Sequence, residues 1–292
     1  MRVFVTGATG FVGSAIVREL VDAGHGVVGL ARSDASAAAL TSAGVEVYRG
    51  DIDDPDSLRG GAAAADGVIH TAYDHAFTDF AAAAAKDRRA VETLAETLAG
   101  SDRPFVMTSG TGPLATEESA PEPGSFSMLR FANEEVAVSF ATRGVRASVV
   151  RLPPSVHGRG DHGFVPRLIG IARAKGVSAY VGDGSNRWAA VHRLDAAHLF
   201  RLALEAAPAG ARLHGIGDEG VPFRDIAEVI GRHLSLPVTA IAPEEAEGHF
   251  GFLGGFASLD LRSSSILTRE RMGWEPAHPG LVADLDEGHY FG

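Results

Sequence analysis

Cysteine is absent from the 292 residues. That excludes disulfides, a thiolate nucleophile and zinc held by thiolates, and it fits a reducing compartment. Basic residues are the minority, 26 against 37 acidic, for a formal charge of −11. Such a deficit argues against a general nucleic-acid binder and against docking on an anionic membrane surface. It leaves room for a local basic pocket that holds phosphate. No apolar run approaches the roughly 18 residues of a membrane span. The first residues enter a strand pattern at once, with no signal peptide. The expectation is a soluble, cytoplasmic protein with no nucleic-acid or membrane partner. Twelve histidines are present, but none forms a His-x-x-x-His pair with an acid partner on a helical pattern. Asp161 and His162 are only a loop pair, so no metal site is expected. The length suits one domain, or one domain plus a lobe.

What is present starts at the N-terminus. Residues 2–6 are mostly β-branched or aromatic and read as a buried strand. Phe11, Ala15, Val17, Leu20 and Val21 recur at helical spacing. Between strand and helix lie Gly7, Gly10 and Gly13. Gly7 allows the tight turn, Gly10 lets a pyrophosphate approach the backbone, and Gly13 lets helix and strand pack closely. The free N–H groups at the helix start then face an anion. A glycine triplet alone is weak evidence; one set between a strand and a helix points to a dinucleotide.

The stretch Thr6-Gly-Ala-Thr-Gly-Phe-Val-Gly13 resembles the cofactor turn of the short-chain dehydrogenase/reductase superfamily, in its extended branch, the NAD-dependent epimerase/dehydratase family. The resemblance implies that Gly7, Thr9, Gly10, Phe11, Val12 and Gly13 hold the cofactor. It implies further contacts from Asp51 and Ile52, which flank the adenine after the third strand, and from Thr71, Ala72 and Tyr73 at the end of the fourth. The alternative for Asp51 or Asp53 is capping of the helix near Pro55. A NAD enzyme usually carries an acid at the end of its second strand, about 20 residues past the glycines. Here Ala31 stands there, followed by Arg32 and Ser33. A guanidinium and a hydroxyl suit a 2′-phosphate, so NADP(H) is preferred over NAD(H). The alternative for Arg32 is an ordinary surface charge.

The family places a catalytic Ser or Thr after the fifth strand, where Ser109 matches best and Thr111 is second. Its Tyr-x-x-x-Lys pair aligns with Phe126 and Arg130. Phenylalanine cannot move a proton, and arginine is a permanent cation suited to holding ribose hydroxyls. The usual acid is therefore missing, and Tyr73 and then His157 are the candidates to replace it. Pro153, Pro154, Ser155 and Val156, at the sixth-strand exit, match the family's nicotinamide contacts. Thr111, Phe126, Arg187 and Trp188 fall where extended members read their substrate. Asp195 is expected to cap a helix over 195–207. The segment 249–256 is either a substrate-pocket wall or lobe core.

Alternating strands and helices predict an α/β fold with a Rossmann-type, doubly wound parallel sheet and a smaller C-terminal substrate lobe. Residues 1–155, rejoined by 189–215, form the dinucleotide domain; 156–188 and 216–292 form the lobe. The expected order is 3-2-1-4-5-6 plus an edge strand. The function expected first is NADP(H)-dependent reduction of a carbonyl or similar polarised double bond of a small molecule. The rival is a dinucleotide-binding sensor, resembling the negative regulator of nitrogen metabolite repression, which also lacks the Tyr–Lys pair. An epimerase- or dehydratase-like activity and a homodimer both stay open.

Overall fold

The computed structural model describes residues 1–74, 79–121 and 128–292. The chain opens with β1 (Arg2–Thr6), α1 (Phe11–Asp22), β2 (Gly26–Ala31), α2 (Asp34–Ser42), β3 (Glu46–Arg49), α3 (Pro55–Ala63), β4 (Gly67–His70), α4 (Phe80–Leu98) and β5 (Pro104–Gly110). Then come α5 (Met128–Ser139), β6 (Arg146–Leu152), β7 (Ser155–His157), α6 (Phe164–Lys175), β8 (Ser178–Val181), β9 (Arg187–His192), α7 (Arg193–Ala206) and β10 (Arg212–His214). The remainder is β11 (Asp218–Pro222), α8 (Phe223–Leu234), β12 (Val238–Ile241), α9 (Ala246–Phe250), α10 (Gly254–Ala257), α11 (Ile266–Met272) and α12 (Leu281–Asp286). No helix of the described residues is long and apolar enough to cross a membrane.

Seven strands form one parallel sheet in the order β3-β2-β1-β4-β5-β6-β10. This is the expected order, with β10 as the edge strand. Strand periodicity splits its residues between two cores. Val3 and Val5 face one layer, built by Ile16 and Leu20 of α1 and Leu199 and Phe200 of α7. Phe4 faces the other, built by Leu58 of α3, Val91 and Leu94 of α4 and Ala137 of α5. All parallel strands then end at one edge, where α/β sheets bind ligands.

The lobe has its own core around Trp188, Phe223, Phe250 and Leu253. It contains a three-stranded sheet, β11-β9-β7, and the parallel pair β12–β8. β9 spans both cores, with Trp188 in the lobe core and Val191 in the main-sheet core. One feature crosses the expected domain division. Trp274, although far along the C-terminal segment, is buried in the main-sheet core and donates its Nε1–H to the Asp195 carbonyl.

Two capping expectations need correction. His192, not Asp195, caps α7, its Nδ1 accepting from Leu194 N at 3.3 Å. Asp195 instead accepts from Ala277 N, His278 N and His278 Nδ1 at 2.8–3.1 Å, tying down a segment some eighty residues away. Neither Asp51 nor Asp53 caps α3; Asp54 does, while Asp51 accepts from Asp53 N in a turn upstream.

Candidate active site

The glycine turn has a steric reason at each end. Gly7 has φ +68°, a left-handed conformation that favours glycine. A Cβ on Gly13 would lie 2.0 Å from the Gly7 carbonyl oxygen, so α1 can approach β1 only without it. Gly10 differs: its Cβ would meet only the Gly7 oxygen, at 3.2 Å, with the outer side open. The α1 N-terminus has no side-chain cap and no acid in its first turn. Its backbone donors and the positive end of its dipole therefore face outward, a cradle that fits a pyrophosphate.

At the end of β2, Arg32 is exposed, with no hydrogen-bond or ion-pair partner among the described residues. Ser33 caps α2, its Oγ accepting from Ser36 N at 3.1 Å. Arg49, which sequence reasoning passed over, donates Nη1 to the Ser33 carbonyl at 2.7 Å and pairs with Asp34. Two guanidinium groups thus belong to this turn. Ile52 is partly buried against the second-layer core, and Asp51 sits half-buried beside it.

The structure brings together three of the four candidate catalytic residues. Arg130, near the start of α5, donates Nη2 to the Thr108 carbonyl at 2.8 Å, next to Ser109 at the end of β5. The same guanidinium lies over the Tyr73 ring, 3.9 Å from its centroid. Arg130 therefore bridges the carboxyl ends of β4 and β5. The Ser109 Oγ and Thr111 Oγ1 are buried and have no hydrogen-bond partner among the described residues, and the same holds for Ser155 Oγ at the start of β7. A buried hydroxyl without a partner is costly in a finished core; three of them at a sheet's ligand-binding edge are what a polar ligand would satisfy. Phe126 lies outside the described residues.

Behind this trio runs a buried polar chain that sequence reasoning did not assemble. Ala72 N–H donates to Thr6 Oγ, which lies 2.7 Å from His70 Nδ1. His70 Nε2 lies 3.2 Å from Asp87 Oδ1, and Asn133 Nδ2 donates to Asp87 Oδ2 at 2.7 Å. Burial pushes the Asp87 carboxyl up, but His70, the Arg130 charge and Asn133 outweigh it and hold the group below its usual range. Asn133 stands one helical turn after Arg130, so the chain fixes the α5 face that presents Arg130. Thr71 is anchored too, its Oγ donating to the Thr6 carbonyl at 2.8 Å.

A second buried cluster clamps the lobe against this edge. Arg151, fully buried on β6, forks onto Glu134 of α5 at 2.7–3.2 Å. Its Nη1 reaches the Glu117 carbonyl and His214 Nε2. Glu117 in turn accepts from Thr268 N and Oγ of α11. Burial first, then the Arg151 charge, lowers His214 to about 4. His214 is thus a neutral acceptor at physiological pH.

The remaining expected residues fall elsewhere. His157 is fully buried, its Nδ1 2.9 Å from Asp284 Oδ2, in a histidine-rich region formed with the C-terminal segment. Pro153 is buried and Pro154 and Val156 are half-buried on the way to it. Trp188 corrects its expectation: the indole is 0% exposed in the lobe core and donates to the Phe256 carbonyl, so it offers no surface to a substrate. Arg187 pairs with Asp260 at 2.7 Å. In the 249–256 segment, Phe250 and Leu253 are lobe core.

This geometry has known counterparts. Residues 3–214 match the family described as NAD dependent epimerase/dehydratase. An uncharacterized protein of Schizosaccharomyces pombe is 51% identical over all of both chains. A 2-alkyl-3-oxoalkanoate reductase of Stenotrophomonas maltophilia is 31% identical, over 81% of this chain and 77% of its own. Among solved structures, a dTDP-glucose 4,6-dehydratase of Streptomyces venezuelae, with NAD and TYD bound, superposes with a TM-score of 0.79 at 21% identity, over 99% of this chain and 96% of its own. From its glycine cradle to the edge strand β10, the chain belongs to the NAD dependent epimerase/dehydratase family.

Proposed function

We propose that the protein is an NADP(H)-dependent reductase of a carbonyl, or similar polarised double bond, in a small molecule, with Tyr73 as its proton donor. The observation that carries this reading is the Arg130 guanidinium held between the Thr108 carbonyl and the Tyr73 ring, beside the unpartnered Ser109 hydroxyl. The glycine cradle would hold the pyrophosphate, and Arg32, with Arg49 nearby, the 2′-phosphate. When bound, the reduced cofactor supplies a hydride. Ser109 Oγ–H donates to the substrate oxygen, and the Tyr73 hydroxyl passes its proton to that oxygen as negative charge gathers there. Solvent then reprotonates Tyr73. Arg130 offsets the charge that develops on the phenol during transfer. The name of the Stenotrophomonas relative supports reduction as the direction and an oxoalkanoate as the first substrate to try.

The test is NADPH oxidation against aldehydes, ketones and 3-oxoalkanoates, comparing wild type with Tyr73→Phe and His157→Ala. Phenylalanine keeps the ring under Arg130, so cofactor affinity should hold while kcat falls by about 10²–10⁴. A Tyr73→Phe rate within a few-fold of wild type removes Tyr73 as donor. Tight NADPH binding with no turnover across the panel would favour a sensor.

A further inference from the structure

Chemistry that the proposed reaction does not use is concentrated around α12. Asp284 lies on that helix, and Glu287 and His289 follow it. One ligating atom from each of the three lies within 4.8 Å of the others. Carboxylates gathered at a surface prove nothing alone; the histidine is the informative member. Its side chain is only 6% exposed, yet neither ring nitrogen has a hydrogen-bond partner among the described residues. Nε2 stands 3.8 Å from Asp284 Oδ1, and Nδ1 stands 3.9 Å from Glu287 Oε2. Both gaps are too long for hydrogen bonds. A buried imidazole without a hydrogen bond costs about 1–3 kcal/mol, which a ligand bonded to one ring nitrogen would recover.

A metal ion fits that role. Metal bonds to imidazole and carboxylate run to about 2.0–2.2 Å, which puts two ligands of a tetrahedral ion about 3.4 Å apart. A closure of a few tenths of an ångström brings His289 Nε2 and Asp284 Oδ1 to that spacing, while Glu287, whose ligating atom lies within 4.8 Å of the others, is exposed and must swing its side chain in to complete the set. Asp284 is already oriented for it: its Oδ2 is held by His157 Nδ1 at 2.9 Å, which leaves Oδ1 toward His289. The three residues border a cavity of about 340 Å³, with room for further ligands from solvent. Arg193, on the same cavity, is turned away; it donates to the Arg159 carbonyl and stacks on Phe11 at 4.9 Å. The neighbouring trio His192, Asp195 and His278 has similar spacing, but Asp195 already accepts three hydrogen bonds from the 277–278 segment.

We propose that Asp284, Glu287 and His289 bind one divalent transition-metal ion, which clamps the segment after α12 onto the body of the protein. One imidazole and two carboxylates select a borderline ion such as Zn²⁺ over Ca²⁺ or Mg²⁺. The sequence gives no helical ligand spacing here because two of the three ligands lie in a turn.

The test is calorimetric titration of the metal-stripped full chain with Zn²⁺ in excess Mg²⁺, with thermal unfolding alongside. Wild type should bind one equivalent saturably and unfold at a higher temperature when loaded. His289→Ala and Glu287→Gln should each weaken binding at least about tenfold. Glu287 is exposed, so its variant keeps the fold. His25→Ala, far from the cavity, should bind like wild type. Absence of saturable binding overturns the proposal. Binding that survives both ligand variants but is lost in His192→Ala overturns it as well, by placing the ion on the other trio.

Discussion

Lowering the pH should loosen the clamp around His214 before most carboxylates titrate. The ring is fully buried at the end of β10. Its Nδ1 lies 2.9 Å from the Ser264 carbonyl, an acceptor only, so that nitrogen carries the proton. Nε2 then accepts from Arg151 Nη1 at 3.3 Å. A second proton would have to enter at Nε2, pointing at a guanidinium. Burial and then Arg151 thus lower the group from 6.5 to about 4. Between those values the unfolded chain binds more protons than the native one. Stability is therefore complete above pH 6.5 and is lost as the pH falls toward 4. At about 1.4 kcal/mol per pKa unit, the loss from this one group is on the order of 2 kcal/mol between pH 7.5 and 5.0. His192, also lowered to about 4 by burial and then His157, adds a smaller contribution of the same sign, since it is only half-buried. Urea unfolding of wild type and His214→Gln at the two pH values isolates the His214 share. The variant should lose about 2 kcal/mol less than wild type across the interval. Equal losses would refute the picture of a neutral, Arg151-facing imidazole.

Three further outcomes follow from the site. Gly10→Val should keep stability within about 1 kcal/mol while NADPH binding collapses, whereas Gly13→Ala should cost about 1–3 kcal/mol through overpacking and lose the cofactor too; unfolding curves and fluorescence titration separate the two. Arg32→Ala should weaken NADPH about tenfold or more and barely change NADH, since only the former offers a phosphate to this cation; an equal effect on both would remove Arg32 from the phosphate site. Glu134→Gln leaves the buried Arg151 charge uncompensated and should cost about 3–5 kcal/mol, read by chemical unfolding, against less than about 1 kcal/mol for breaking the exposed Arg18–Asp22 pair.

The sheet order was readable because each buried strand announces itself by β-branched runs and each turn by glycine or a capping side chain. Gly7 and Gly13 were readable for the same reason: their constraint is local, within seven residues. Ser109 and Arg130 could be placed by counting from strands. The Arg130–Tyr73 stack could not, because it joins residues 57 positions apart and depends on a β4–β5 register that no local pattern encodes. Asp195 misled for a related reason. An acid at the start of a helix looks like a cap, and nothing near it in the chain reveals its backbone partners at 277 and 278. Trp188 misled through chemistry rather than distance, since an indole suits a ligand wall and a core equally well. The orphaned nitrogens of His289 were invisible in principle, because a missing partner is a property of three-dimensional neighbours.

The position of α7 has a consequence for how the chain folds. This helix covers the same face of the main sheet as α1, and Arg201 donates to Glu19 across that interface at 2.7 Å, a sequence separation of 182 residues. Until it docks, Val3, Val5, Ile69 and Val106 form an apolar strip on one side of three parallel strands that α1 alone only partly covers. A ribosome that has released only the first 155 residues has therefore made a half-covered sheet. Such an intermediate folds slowly, because its closing contacts are non-local, and it is exposed to aggregation while it waits. The excised segment 1–155 should accumulate as insoluble protein, while a fragment extended through β10, to residue 215, should gain solubility. The nucleotide-binding half is continuous in space and divided in time, and its completion waits on strands and helices that the lobe's first segment separates from it.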